Sequence, residues 1–202
     1  MKRTKLAVTG GPSGGKTTLI EAIKKEIGHQ VTVIPEAATI LYRGGFPRRK
    51  DPQGLAHVQK AIFFTQKELE SLFEDETSSP LIVCDRGSVD GVAYWPHPEN
   101  EFYKAIASTK AAEFQRYEFV LHLDTAGPEF YEVSNSVRTE TFLEAFELNR
   151  RIREAWSGHP QRITISSDAD FLSKMTLCLS VIESILKGLS YDSILKNFPQ
   201  LK

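Results

Sequence analysis

Cysteine is scarce: among 202 residues only Cys84 and Cys178 carry thiols, each in an apolar run and neither in a CxxC or Cys/His arrangement. A disulfide scaffold is excluded, and both side chains read as small buried hydrophobes of a reducing compartment. Neither sign of charge dominates. With 25 basic and 26 acidic residues the net charge is -1, so no extended nucleic-acid binding is expected, a local basic patch aside. Long apolar runs are missing. The basic-headed KRTKLAVTGG holds too short an apolar stretch for a signal peptide. The most apolar later stretch, Met175 to Leu186, is interrupted by Ser180, Glu183 and Ser184 and is too short to span a bilayer. A cytoplasmic protein without a membrane span is expected. His57, His97, His122 and His159 have no metal-ligand spacing. Repeats, low-complexity tracts and linkers are lacking as well. A hydrophobic fraction of 41% and a charged fraction of 25% are those of an ordinary globular chain, long enough for one domain.

What the chain does have is alternation of strands and helices. A strand is predicted over about Lys5 to Thr9, then a Gly-rich turn and a helix to about Ile27. VTVIPE is a second strand ending near Glu36. A short helix, the turn-rich RGGFPRRKDPQG and a long helix from about Leu55 follow, with Leu55, Val58, Ile62, Leu69, Leu72 and Phe73 at roughly helical spacing. SSPLIVCDRG carries a fully buried strand, its apolar run lacking alternation. A helix is predicted over Glu99 to Phe114, a fourth strand in FVLHLDT, irregular chain over Ala126 to Val137, and a helix over Glu140 to Trp156. RITIS is the fifth strand, Asp170 to Leu186 the last long helix, and Tyr191 to Phe198 a further turn or two. This order implies a parallel sheet covered on both faces. Ligands of such sheets bind beyond the carboxyl ends of the strands, here at Gly10, Glu36, Asp85, Asp124 and Ser166.

Gly10, Gly11, Pro12, Ser13, Gly14, Gly15, Lys16 and Thr17 form the pattern G-x-x-x-x-G-K-[ST], with Thr18 beyond it. It follows an apolar strand and opens an amphipathic helix, the context the mechanism needs. Glycines let successive N–H groups turn inward onto phosphate oxygens, and the helix adds the positive end of its dipole. Lys16 can reach the terminal phosphates, and the Thr17 hydroxyl can take one position on magnesium. The expected fold is therefore an α/β P-loop NTPase, a three-layer fold with five parallel strands in the order 2-3-1-4-5. Residues 1–202 read as one kinase-like domain, with an acceptor-side helical segment at 37–79 and a lid at about 125–155.

Asp85 ends the buried strand LIVCDR, where a carboxylate can approach magnesium through water or orient an attacking hydroxyl. It can equally cap the next turn. Arg86 stands where motor ATPases carry glutamate, which argues against a water-activating hydrolase of that type. Glu36 ends the second strand, one strand from Asp85, and can act as general base toward a substrate hydroxyl; a helix-terminal glutamate favoured by the dipole is the plainer possibility. Arg86 can pair with Glu36 and also meet the transferred phosphoryl group.

Taken together, VTGGPSGGKTTL, VIPEAA and CDRGSVDGVAYW resemble the ribosylnicotinamide-kinase-like P-loop ATPase family, which includes the AAA-type domain of the TRPL-translocation-defect protein. The chain is similar, more distantly, to deoxynucleoside and thymidylate kinases. The resemblance covers roughly Lys5 to Leu186 and implies a phosphotransferase fold with a lid. It matches Glu36 to the second-strand carboxylate of nucleoside kinases, and Asp85 and Arg86 to their acidic-arginine pair. The chain departs at Gly87, where deoxynucleoside kinases usually carry serine.

SNSVRTE, Ser134 to Glu140, holds Arg138 in an N-x-x-R arrangement that looks like the family's lid, suited to charge stabilisation in phosphoryl transfer. Arg150, Arg151 and Arg153 share one helix and cannot all face one site. ATP with Mg2+ is the expected donor, because no guanine-reading N-K-x-D pattern is present; the loop Ser166 to Ala169 would border the base. The acceptor is expected between the second-strand loop, the long helix and Gly87 to Trp95. There Arg43, Arg48, Arg49 and Lys50 can bind an anionic group or sit in solvent. Phe63, Phe64 and Gln66 can meet a planar ring or pack in the core, and Asp90, Tyr94 and Trp95 share the same wall. Two functions stand against each other. One is an ATP-dependent phosphotransferase acting on a small nucleoside- or nucleotide-like acceptor. The other is a regulatory ATP/GTP-binding NTPase read by a protein or lipid partner.

Overall fold

Runs such as LAV, LIVC and FVLHL bury both of their faces, which only an inner parallel strand does without alternation. In the computed structural model, which describes residues 3–127, 141–167 and 170–201, they form a five-stranded parallel sheet. Its strands are β1 (Thr4–Thr9), β2 (Val31–Ile34), β3 (Leu81–Asp85), β4 (Phe119–Leu123) and β5 (Arg162–Ile165). They lie in the order β2-β3-β1-β4-β5, so the chain reverses its direction of winding at β1.

The connections are α1 (Lys16–Glu26), α2 (Ala37–Arg43), α3 (Pro52–Glu76), the single turn α4 (Gly91–Tyr94), α5 (Glu99–Ala105), α6 (Lys110–Phe114), α7 (Phe142–Ala155), α8 (Phe171–Leu186) and α9 (Tyr191–Asn197). One face of the sheet, with Leu6, Val8, Val83 and Leu121, packs on Leu19 and Ile23 of α1 and on Cys178, Val181 and Ile182 of α8. The other, with Ala7, Ile82, Cys84 and Val120, packs on Val89, Ala93, Ile152 and Trp156. A smaller cluster of Phe63, Trp95, Phe102, Tyr103 and Ile106 joins α3 to α5. Both cysteines are buried and free. Among the described residues no helix is long and apolar enough to cross a membrane.

Three local expectations need correction. The long helix starts at Pro52, ahead of Leu55, because the Asp51 carboxylate accepts from the Gly54 amide at 2.7 Å and Pro52 occupies the first helical position. Its apolar stripe does not wholly face inward: Leu72 is exposed, and the buried side instead includes the polar Gln59, Gln66 and Glu70. The helix expected over Glu99 to Phe114 is two helices. Ala107 takes φ +51° between them, and the Thr109 hydroxyl caps the second by accepting from Ala112 at 3.1 Å. β2 stops at Ile34, and Glu36 becomes the N-cap position of α2.

Candidate active site

The phosphate loop leaves β1 through Gly10 at φ +127°, where a Cβ would lie 2.0 Å from the Leu123 carbonyl oxygen. Only glycine can lie so close to β4 in this conformation. The loop enters α1 through Gly15 at φ +91°, which offers no side-chain cap, and the first turn of α1 carries no acidic residue. The helix start therefore presents its amides without an anion of its own. Lys16 is 8% exposed and donates to the Gly11 carbonyl oxygen at 2.5 Å. No carboxylate pairs with it among the described residues. Burial, and next the charge of Arg86, hold its ammonium well below the usual lysine range. A buried amine beside unneutralised amides suits a polyanionic ligand. Thr17 and Thr18 sit exposed at the first helical turn, and Pro12 and Ser13 are half-buried at the loop's bend.

Asn149 of α7 anchors the loop. Its Oδ1 accepts from the Gly11 amide at 2.9 Å and faces His122 Nε2 at 3.1 Å, while its Nδ2 donates to Asp124 at 3.0 Å. Arg153 donates to the other Asp124 oxygen at 2.6 Å. Burial pushes the Asp124 carboxyl up, but hydrogen bonds from His122 and Asn149 with the charges of His122 and Arg153 outweigh it, and the net shift is downward. Asp124 thus serves the anchor of the loop.

Strand register brings the acidic ends together. Ala7 pairs with Cys84, and Cys84 with Ile34; two residues further on, Thr9, Arg86 and Glu36 come level at the carboxyl edge. Arg86 holds φ +81°, an uncommon backbone state for a residue with a side chain. Its Nη1 donates to the Gly10 carbonyl oxygen at 2.8 Å and to Asp90 at 3.2 Å, and its Nε stands 3.3 Å from Glu36 Oε1. Burial disfavours this guanidinium, yet Tyr94, Asp90 and Glu36 around it more than offset that and raise its pKa. Asp90 is itself fixed by Thr9 Oγ1 and Trp156 Nε1, each donating at 2.6 Å. Glu36 makes no hydrogen bond to the amides of α2; its carboxylate takes the Thr39 hydroxyl and the Arg86 pair instead. Burial and then Glu36 push the Asp85 carboxyl up, an effect that a bound cation would reverse. Among the described residues no cluster of three or more His, Cys, Asp or Glu could hold a metal by itself. Thr17, Asp85 and phosphate oxygens form the donor set that fits magnesium, which takes few protein ligands.

Beside Glu36 and Arg86 opens a cavity of about 590 Å³. The N-terminal part of α3 supplies Gln59, Phe63 and Gln66, α2 supplies Tyr42 and Arg43, and the β3 end supplies Ser88, Asp90 and Tyr94. Gln66 donates to Glu70 at 3.1 Å and accepts from the Ala37 amide at 3.4 Å. Phe63 lines the cavity while stacking edge-on against Phe102, so it serves both wall and core. Trp95 does not line it; at 5% exposure it packs on Phe102, which corrects its placing on this wall. Phe64 is exposed on the outside of α3. Of the four cations expected nearby, Arg43 and Arg48 line the cavity and Arg49 and Lys50 do not.

Arg138 and its segment Ser134 to Glu140 lie outside the described residues, as do positions 168 and 169 of the loop after β5. Of the three arginines on α7, Arg150 pairs with Glu147 and Glu154 on the surface, Arg151 donates to the Trp95 carbonyl oxygen, and Arg153 holds Asp124. Gln59, Ser88 and Asn149 are site residues that sequence reasoning missed. Asn149 follows a leucine on an amphipathic helix and matches no short pattern; Ser88, inside DRGSVD, was within reach of the motif.

A phosphate loop after β1 of a parallel sheet in the order 2-3-1-4-5, with a carboxylate ending the neighbouring β3, defines a P-loop NTPase-type domain, a class that binds a nucleoside triphosphate and hydrolyses it or transfers its phosphoryl group. Within that class the chain belongs to the AAA domain family, whose model matches residues 5–173, from β1 into the first turn of α8. No curated protein matches the chain significantly.

Proposed function

We propose that the protein is an ATP-dependent phosphotransferase that moves the γ-phosphoryl group to a hydroxyl of a small acceptor, nucleoside- or nucleotide-like in size, in the cytoplasm. One observation carries this reading. Glu36 lies between the phosphate loop, to which Arg86 ties it through Gly10, and a cavity of about 590 Å³. A hydrolase needs space for water alone, whereas this volume suits an organic acceptor.

The loop amides and Lys16 grip the triphosphate, and triphosphate binding would draw Lys16 off the Gly11 carbonyl. Thr17 and Asp85 would hold magnesium, which when bound would supply charge neutralisation at the terminal phosphates. Glu36 takes the acceptor's hydroxyl proton as the new O–P bond forms; the bond between the γ-phosphorus and the β,γ-bridging oxygen breaks, and ADP leaves. Arg86 faces the transferred group from the sheet side, and Arg138 is the lid residue proposed to meet it from above.

Incubation with Mg-ATP and a pooled nucleoside and metabolite library, with ADP release followed, tests the reading. Turnover should require an acceptor. Glu36→Gln should lower it about 10²- to 10⁴-fold, the usual contribution of a general base, while ATP affinity stays within about twofold. Acceptor-independent turnover that persists in Glu36→Gln would instead identify a hydrolase whose nucleotide state is read by a partner.

A further inference from the structure

The cavity beside Glu36 differs in chemistry from end to end. α2 runs along one wall, with Glu36 at its start and Arg43 at its last position. Seven residues at 1.5 Å each put about 10 Å between them. Near Glu36 the cation Arg86 already pairs with Glu36 and Asp90 and donates to the Gly10 carbonyl. At the far end Arg43 and Arg48 line the cavity with no carboxylate partner among the described residues. Arg48 sits over the Tyr42 ring, 3.9 Å from its centroid, which steadies the guanidinium while leaving its N–H groups without an acceptor.

Between these ends lie two polar side chains that the protein leaves unsatisfied. Gln59 is 5% exposed and Ser88 4% exposed, and both line the cavity. The Ser88 Oγ has no hydrogen-bond partner, and the Gln59 amide has none among the described residues. Gln66, two helical turns further along α3, shows the contrast, since both ends of its amide are engaged. Buried amides and hydroxyls are rarely left unpaired, because the lost hydrogen bond to water is not regained. The Ser88 hydroxyl is such a group, and the Gln59 amide on the same wall, without a protein partner among the described residues, offers a ligand a second bond; together they point to a ligand that supplies what the protein does not.

On the phosphotransferase reading the occupant is the acceptor, and its chemistry follows from the wall. We propose that the acceptor is an anionic hydroxyl compound: its carboxylate or phosphate meets Arg43 and Arg48, about 10 Å from the hydroxyl at Glu36, and its uncharged middle hydrogen-bonds Gln59 and Ser88. The arginines select charge, and the buried pair selects the pattern of donors and acceptors between the two ends.

Calorimetric titration without any triphosphate tests this with matched probes. Pantothenate against pantothenol and orotidine against uridine differ by one carboxylate; inositol 1-phosphate against inositol forms the phosphate arm. At least one anionic member should bind tenfold or more tighter than its neutral counterpart, with the preference shrinking between 0.05 and 0.5 M salt. In the double variant Arg43→Gln/Arg48→Gln the preference should vanish. Gln59→Leu should weaken both members of that pair alike, by about tenfold. Thermal midpoints on the same samples report that each variant is folded. Equal binding within every pair, no binding of any anionic probe, or a preference that survives the double variant would overturn the proposal. No transfer occurs in these titrations, so failure of the kinase reaction leaves them unaffected. Conversely, loss of the charge preference would leave the transfer reaction standing and remove only the acceptor's class.

Discussion

Lys16 is the residue whose surroundings change most when a polyanion arrives. In the free protein its ammonium is buried, rests on a carbonyl and has its pKa lowered well below 10.5 by burial and then by Arg86. A triphosphate in the loop would restore the charged form, so binding at alkaline pH should take up protons. The sign follows from the direction of the shift: as pH rises through the depressed pKa the free amine loses its proton, and triphosphate affinity falls. The fall should begin at a lower pH than an ordinary lysine would give. Calorimetry above pH 8, where the triphosphate no longer titrates, should show a binding enthalpy that varies with the ionisation heat of the buffer. Affinity flat to pH 10 without buffer dependence would show that Lys16 is not the titrating partner. Lys16→Ala should remove turnover by about 10²-fold or more. Gly87 is a second single-residue test. A Cβ there would lie 2.6 Å from Trp156 Cζ2, within a fully buried ring whose Nε1 holds Asp90 at 2.6 Å. This close approach accounts for glycine at this position. Gly87→Ser should lower stability by about 1–3 kcal/mol, the usual cost of overpacking, read as a shift in urea midpoint.

Among the elements, α3 decides the shape of the cavity beside Glu36, since it spans 25 residues and carries Gln59, Phe63 and Gln66 into its wall. Its start depends on Asp51 and Pro52. Asp51→Ala should cost about 1 kcal/mol by removing the cap, and faster hydrogen exchange should appear over residues 52–58 while the sheet strands keep their protection. The same turn shows where sequence reading falters. DPQG reads as the close of a loop because proline and glycine punctuate chains, yet Asp followed by Pro is equally the start of a helix. The split at Ala107 was hidden because nothing in ASTK breaks an apolar period except Thr109, a cap recognised only once its acceptor role is seen. The strands, by contrast, were plain: an apolar run bounded by turn residues has few other uses in an alternating chain, and residues two beyond paired strand positions had to meet at one edge. Glu36 and Arg86 are legible at that edge for this reason, and Lys16 from the phosphate-loop pattern. Gln59, Ser88 and Asn149 were not, because their roles arise from how α3 and α7 lie against the sheet, which no local spacing encodes.

At the scale of the whole molecule, one buried charge network joins the sheet to the wall of the cavity. Glu70 of α3, with a fully buried side chain, receives Lys5 of β1 at 3.1 Å, Arg116 at 2.7 Å, the Tyr117 hydroxyl at 2.7 Å and the Gln66 amide at 3.1 Å. Tyr117 in turn accepts from the Ser88 amide at 2.8 Å, so the network supports two cavity-wall residues, Gln66 and Ser88. Burial opposes the charge on Lys5 and on Arg116, but Glu70 and its acidic neighbours outweigh it, and both pKa values are raised. A cation with a raised folded-state pKa stabilises fully below its unfolded pKa, and the contribution is lost as pH rises through the folded value; for both groups that loss falls in strong alkali. Glu70→Ala should therefore destabilise by about 2–3 kcal/mol at neutral pH, because two partly buried cations lose one of their counter-charges, Lys5 keeping Glu74 and Arg116 keeping Glu113. The triple replacement Lys5→Met/Glu70→Leu/Arg116→Met removes the three central charges, though Glu74 and Glu113 lose their cations, and should recover part of that loss, since buried ion pairs add little over well-packed apolar groups. Stability and function should then separate. In the triple variant Gln66 and Tyr117 lose the carboxylate that orients them, so the KM for the acceptor should rise about tenfold while the KM for ATP, set across the sheet at the phosphate loop, changes by less than about twofold. A triple variant no more stable than Glu70→Ala would mean that Glu70 acts by packing rather than by charge. An unchanged acceptor KM in a folded triple variant would detach this network from the cavity it borders.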